Sequence, residues 1–345
     1  MADQALSLLS QDLRRPGERT LWIADENIPS DLCAPVSDVE VVGNRYDLIQ
    51  ALRAQGWPAE FSDFDLRARN DASLDRIVYR ISKEKPVVHH LINEAARLLK
   101  PGGELILIGD KSEGIKTYSR KAQQCLGGHR DERKEGSIWR ISLSRGQNNP
   151  EWLDDQDYRQ LRPMTLDDGA PYLTKPGLYG WNKVDRGSAF LIEQLPAMTG
   201  HSLPLQSRVL DLGCGFGYLA LNACATDAQL TCTDNNAAAL QACRANLEQR
   251  GFNASVIASN AGTGLQPGFD IILCNPPFHA GFGIEGDLTD RFLAQAQRLL
   301  APGGIACFVV NLHIPLERKA SGRFAQIRCH ADNGHFKLIQ LSQAL

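Results

Sequence analysis

The chain is 345 residues long, enough for two domains with separate cores, and 37 Lys and Arg against 40 Asp and Glu leave a formal charge of −3. That balance excludes a protein that holds nucleic acid by global attraction, so any polyanion must be met by a local patch. The nine cysteines form no Cys-x-x-Cys pair and no Cys/His zinc spacing, no apolar run reaches a membrane span, and the start lacks a signal-peptide core; a cytoplasmic protein with reduced thiols, no metal site and no membrane partner is expected.

In chain order, "TLWIADENIPSDL" at 20–32 opens with a short apolar strand and carries no glycine loop. "LDRIVYRISKEK" at 74–85 is a second strand. Val88, Leu91, Ile92, Ala95, Leu98 and Leu99 then form the apolar stripe of a helix that ends at Pro-Gly-Gly, and another strand follows in "RLLKPGGELILIGD" at 97–110. From Lys111 to Arg145 nine Lys or Arg face four Asp or Glu, a local excess that reads as a solvated face or an RNA contact. "RGQNNPEWLDDQDYRQLRP" at 145–163 is polar and acidic and reads as a linker.

The second half repeats this order with additions. Arg208–Asp211 is a strand ending in an acid, followed by Gly213, Gly215 and Gly217 and a helix-like run. Missing side chains there let a ligand approach the backbone. A dinucleotide fingerprint would need glycine where Tyr218 stands, so the spacing is G-x-G-x-G. "LTCTDNN" is a strand ending at Asp234, suited to accept from ribose hydroxyls. A helix with Leu240, Cys243 and Leu247 on one face follows, and then "SVIASNAG", a strand ending at Asn260, whose amide suits an adenine edge. No Walker lysine and no magnesium-binding acid cluster appears, which argues against phosphoryl transfer. "FDIILCNPPFHA" at 269–280 is an apolar strand stopped by Asn275 and two prolines, which stiffen a turn at the carboxyl end of the strand, where open α/β sheets bind ligands. Phe292, Ala296, Leu299 and Leu300 form a helix stripe, and "RLLAPGGIACFVVN" at 298–311 repeats the Pro-Gly-Gly step of the first half. Two matches in one order point to a duplicated unit whose first copy has lost its ligand motif.

"LDLGCGFG" and "NPPF" together make the second half resemble class I S-adenosylmethionine-dependent methyltransferases of the amine-methylating branch. With the degenerate first copy, "KPGLYGWNKVDRGSAFLIEQL" at 175–195 and "GHFKL" at 334–338, the chain is similar to the RsmC/RlmG group of ribosomal RNA guanine-N2 methyltransferases. The resemblance implies an α/β fold of two tandem Rossmann-like domains. Residues 1–148 would be a degenerate copy serving as RNA guide or scaffold, 149–168 a linker, and 169–345 the catalytic domain, with a seven-stranded, mostly parallel sheet ending in an antiparallel hairpin. S-adenosylmethionine would be held by Asp211, Gly213, Gly215, Gly217, Asp234, Asn260 and Asn275.

Catalysis would fall to Asn275, Pro276 and Phe278. The Asn275 side-chain oxygen and the Pro276 carbonyl would accept the two N–H bonds of the target amine, and Phe278 would stack on an extruded base. Lys183, Arg186, Phe278 and His279 are the candidates for contact with RNA; an exposed loop histidine ordinarily has no catalytic role, and Cys274 reads as a packed strand residue. The expected partner is ribosomal RNA or a ribosomal subunit, most readily 16S, with no obligate protein partner. The same turn also serves 23S guanine, adenine-amine and protein glutamine methylation. A non-enzymatic assembly factor that merely binds the cofactor is the reading from another class.

Overall fold

The computed structural model describes residues 4–24, 34–165, 169–277 and 282–345, and these divide into two compact units, 1–160 and 161–345. In the first unit the strands are β1 (Thr20–Ala24), β2 (Val39–Gly43), β3 (Ala59–Phe61), β4 (Leu74–Arg80), β5 (Leu99–Asp110), β6 (Gly127–Glu135) and β7 (Ile138–Arg145). Its helices are α1 (Gln4–Leu13), α2 (Tyr46–Ala54), α3 (Lys85–Leu98) and α4 (Ile115–Leu126). Every residue of β1 is buried, as in a parallel strand covered on both faces. The α3 stripe of Val88, Leu91, Ile92, Ala95 and Leu98 is buried as its spacing predicts, and Pro86 in the first turn fits a position where its missing N–H costs nothing.

The second unit opens with a hairpin of β8 (Arg162–Thr165) and β9 (Pro171–Thr174) and continues with α5 (Arg186–Thr199), β10 (Arg208–Leu212), α6 (Tyr218–Ala223), β11 (Gln229–Asp234) and α7 (Ala237–Gln249). It ends with β12 (Ala254–Ala258), β13 (Phe269–Cys274), α8 (Phe282–Leu299), β14 (Leu300–Asn311), α9 (Leu316–Ala320), β15 (Phe324–Asp332) and β16 (Phe336–Ala344). Two apolar clusters cover the two faces of the main sheet, one around Leu191, Val209 and Leu273 and the other around Leu210, Ile272 and Phe308.

Among the described residues each unit carries one seven-stranded sheet, ordered β3-β2-β1-β4-β5-β7-β6 and β12-β11-β10-β13-β14-β16-β15. Five strands are parallel and the last two antiparallel. The copies match in an irregularity as well. The ladder slips between Leu74 and Arg76 in one and between Phe269 and Ile271 in the other, in both cases opposite Pro-Gly-Gly. Pro-Gly-Gly is therefore a bulge inside β5 and β14; the sequence placed it between helix and strand. The space is tight: a Cβ on Gly103 would lie 2.9 Å from the Lys100 carbonyl oxygen, and one on Gly304 would lie 2.8 Å from that of Phe269.

Shared registers show what the first copy lost. Arg76 pairs with Thr20 where Ile271 pairs with Val209, so Trp22 stands at the position of Asp211 and Ala24 at that of Gly213. One strand over, Gly43 stands for Asp234. Arg80, next after Tyr79, stands for Asn275. A fully buried indole that meets Trp57 edge-on, ring centroids 5.3 Å apart, fills the place of an acid. Residues 151–158, within the segment expected to be a linker, pack on the first unit: Tyr158 is buried with its hydroxyl 2.7 Å from Asp63, and Asn93 bonds both the N–H and the carbonyl of Leu153.

Candidate active site

The strand order of the second sheet reverses between β10 and β13, and ligand crevices of open α/β sheets lie at the carboxyl ends of such strands. The glycine loop leaves β10 there and Asn275 leaves β13. Gly213, Gly215 and Gly217 all have positive φ, 85°, 54° and 92°, which other residues rarely adopt. A Cβ on Gly215 would point into open space, whereas one on Gly217 would lie 3.2 Å from Cys243 Sγ, so the loop is open on its outer side and packed on its inner side. Cys214 in the loop and Cys232 and Cys243 beneath it are buried free thiols; hydrogen bonds to Cys232 and Cys243, then burial, push Cys214 up, while in Cys232 the bond to Cys214 acts downward and is outweighed by the bond to Cys243 and burial, which push it up.

Two acids shape this loop from below. Asp234 ends β11 and draws the loop across the strand end: its Oδ2 accepts the Gly215 N–H at 3.0 Å and its Oδ1 the Asn236 N–H at 2.8 Å. Asp211 is fully buried; its Oδ2 accepts the Ala220 N–H at 3.1 Å, in the first turn of α6, while its Oδ1 has no partner among the described residues. Burial first, then the nearby Cys243 and Asp234, push its carboxyl well above the usual carboxylate range. A buried oxygen without a donor calls for one, and in a glycine cradle it fits a ligand that brings a cationic or N–H group.

Asn260 departs from expectation. β12 ends at Ala258, and Asn260 lies two residues on, in a turn, its Oδ1 accepting from Arg291 Nη1 at 3.1 Å. The pairing with β11 stops at Asp234 and Ala258, where the Ser259 N–H makes the last ladder bond, to the Asp234 carbonyl at 3.0 Å.

Asn275 is half-buried, Pro276 buried and Cys274 fully buried, as a packed strand residue should be. Phe278 and His279 lie outside the described residues. The Asn275 amide nitrogen donates to Asp185 Oδ1 at 2.7 Å and to Ser188 Oγ at 2.8 Å, and its oxygen has no partner among the described residues. Asp185 is the N-cap of α5 and also accepts the Ser188 N–H at 2.8 Å. The tight first turn of α5 needs Gly187, where a Cβ would lie 3.2 Å from the Phe336 ring of β16. Sequence reasoning assigned no role to Asp185 or Ser188; an acid three residues before a serine was the available sign of a cap. Lys183 and Arg186, proposed for RNA contact, are exposed on either side of Asp185.

The model of the Methyltransferase small domain matches residues 170–340, and that of its N-terminal counterpart matches residues 20–154. A Ribosomal RNA small subunit methyltransferase C from Shewanella loihica is 31% identical over 271 residues, covering 77% of this chain and 76% of its own. One from Shewanella pealeana is 29% identical over 343 residues, covering 98% and 97%. Among solved structures, the T. thermophilus 16S rRNA N2 G1207 methyltransferase (RsmC), in complex with AdoMet and guanosine, aligns with a TM-score of 0.84 at 25% identity, over 99% of this chain and 92% of that one. Duplicated sheets, a glycine loop kept in one copy only, and an Asn-Pro-Pro turn beside it therefore have one source: this chain belongs to the small-subunit ribosomal RNA methyltransferase C family.

Proposed function

We propose that the chain methylates the exocyclic N2 amine of a guanine in 16S ribosomal RNA, with S-adenosylmethionine bound at the glycine loop of the second unit. The observation that carries this reading is the Asn275 amide, both of whose N–H groups are committed to Asp185 and Ser188 while the oxygen is left to accept. When bound, the cofactor supplies an electrophilic methyl group on a sulfonium. Asp211 Oδ1 would meet the cationic end of the cofactor, Asp234 its ribose hydroxyls, and Asn260 its adenine.

The remaining work is on the acceptor. The lone pair of a guanine amine is delocalised into the ring, so the nitrogen must become pyramidal before it can attack. Asn275 Oδ1 and the Pro276 carbonyl accept its two N–H bonds and favour that geometry; Phe278 gives the base a stacking face. The amine acidifies as it gains the methyl group, so one proton leaves to solvent without a strong base. Positioning of this kind supplies up to about 7–11 kcal/mol. A base paired in a duplex must first be extruded. The substrate is ribosomal RNA or the small subunit, and the setting is the cytoplasm. The first unit, with Trp22, Gly43 and Arg80 at the ligand positions, serves as scaffold or RNA guide.

Incubation of the protein with labelled cofactor and either naked 16S RNA, naked 23S RNA or assembled small subunits, followed by nucleoside analysis, tests this. N2-methylguanosine in 16S RNA is expected; methyladenosine, or label confined to 23S RNA, would overturn the assignment. Asn275→Ala should slow single-turnover transfer at saturating cofactor by roughly 10²-fold or more, as for loss of one preorganised transition-state hydrogen bond, with cofactor affinity kept. Phe278→Ala should weaken both base capture and turnover, and Phe278→Tyr should keep most of each.

A further inference from the structure

Building on the function proposed above, we infer that Asp185 is a positioning residue for methyl transfer: it dictates which end of the Asn275 amide meets the target amine. A carboxamide is nearly symmetric in shape, and a half-turn about its last torsion exchanges an acceptor for a donor. With the donor end forward, N–H would face N–H and the amine would be repelled. The site therefore needs a partner that accepts only one end. An ionised carboxylate is such a partner, because it has no proton to offer.

The geometry supplies it. Asp185 Oδ1 lies 2.7 Å from Asn275 Nδ2, and Ser188 Oγ lies 2.8 Å from the same nitrogen. The hydroxyl alone could not set the orientation, since it donates as readily as it accepts. Asp185 is itself held from two further sides. Its Oδ1 accepts the Ser188 N–H at 2.8 Å at the start of α5. The Tyr179 hydroxyl hydrogen-bonds the same carboxylate; burial of the hydroxyl first, then the charge of Asp185 and that bond, push the phenol up. Asp185 thus caps a helix and orients a side chain 90 residues away in sequence with a single oxygen. The capping role would matter to stability alone, whereas the orienting role would matter to turnover, so the two can be separated.

The separating experiment compares variants of the full-length protein, read as single-turnover transfer to 16S RNA at saturating cofactor, with calorimetric cofactor affinity and melting temperature as controls. Asn275→Asp sets two carboxylates against each other and should lose on the order of 10²-fold in rate. Asp185→Asn caps as well as Asp, and the oxygen held at the cap is the one that faces Asn275 Nδ2, so the amide keeps its end and the rate should stay within about threefold of native. A loss in Asp185→Asn as large as that in Asp185→Ser would overturn the inference. As a second variant, Asp185→Ser keeps the cap but removes the carboxylate. A rate loss of about tenfold or more at near-native melting temperature is expected, and a rate within about twofold of native would also overturn it. No transfer by the native chain would overturn the function and this inference together; native transfer that Asp185→Ser leaves unchanged overturns the inference alone.

Discussion

Asp211 is the residue through which cofactor binding should couple to pH. Its carboxyl is buried, one oxygen is taken by the Ala220 amide, the other has no partner among the described residues, and its pKa is raised well above the ordinary value, first by burial. A carboxyl raised in the folded state favours folding fully below its unfolded pKa, and that contribution is lost as pH climbs through the raised folded value. The ligand-free protein should therefore lose stability as pH rises above the ordinary aspartate range, and Asp211→Asn should flatten that slope. A cation brought against the free oxygen favours the ionised form and expels the proton. Calorimetry in buffers of different ionisation enthalpy should show proton release on binding of S-adenosylmethionine in the native protein and none in Asp211→Asn. Binding should also tighten as pH rises. Buffer-independent heats in the native protein would mean that Asp211 is already ionised, and that the unpartnered oxygen is not where the cation sits.

At the scale of elements, Asn246 of α7 joins three pieces of chain. Its Oδ1 accepts the Leu173 N–H of β9 at 2.7 Å, and its amide donates to the carbonyls of Leu173 and Phe216 at 2.9 and 3.0 Å. Phe216 lies within the glycine loop, so one buried amide holds hairpin, helix and loop together. Asn246→Ala leaves these groups without partners and should cost the second unit roughly 3 kcal/mol in denaturant unfolding, with weaker cofactor binding. A cost below about 1 kcal/mol would mean that Tyr172 and its apolar neighbours seat the hairpin unaided. β10, β11 and β13 were legible because each is an apolar run closed by an acid, asparagine or glycine, and α3 because its stripe keeps the helical period. The Asn260 boundary was not legible, since nothing in "SVIASN" shows that pairing with β11 stops at Ala258. Nor were the partners of Asn275, which are brought to it by sheet and helix packing across 90 and 87 residues that no periodicity spans. The tethering of 151–158 was hidden by composition, because two apolar anchors, Leu153 and Tyr158, sit in an otherwise polar stretch.

For the whole molecule, the question is where a chain of net charge −3 grips a polyanion. The basic run from 111 to 145 is the obvious candidate, but most of its cations are engaged. Lys116 and Arg130 pair with Glu132, Arg133 with Glu135 and Arg140 with Asp12. Arg145 donates to the carbonyls of Ala96, Leu126, Gly146 and Asn148. Much of the run forms β6, the edge strand of its sheet, and alternating charge on an edge protects it from pairing with another chain. That role accounts for the run without RNA. Lys183 and Arg186 are exposed beside the residue that holds Asn275, and neither is drawn into an ion pair among the described residues. Reversing both to glutamate should therefore weaken binding of a 16S fragment by about tenfold or more and lower the slope of log affinity against log salt by about two, one for each phosphate that is no longer neutralised. Reversing Lys111, Arg120 and Lys134 together, which removes more positive charge, should leave that slope unchanged. Anisotropy titrations over a range of salt concentrations compare the two variants directly. A slope that falls only in the triple variant would move the RNA grip to the first unit and leave Lys183 and Arg186 as solvated neighbours of the active site.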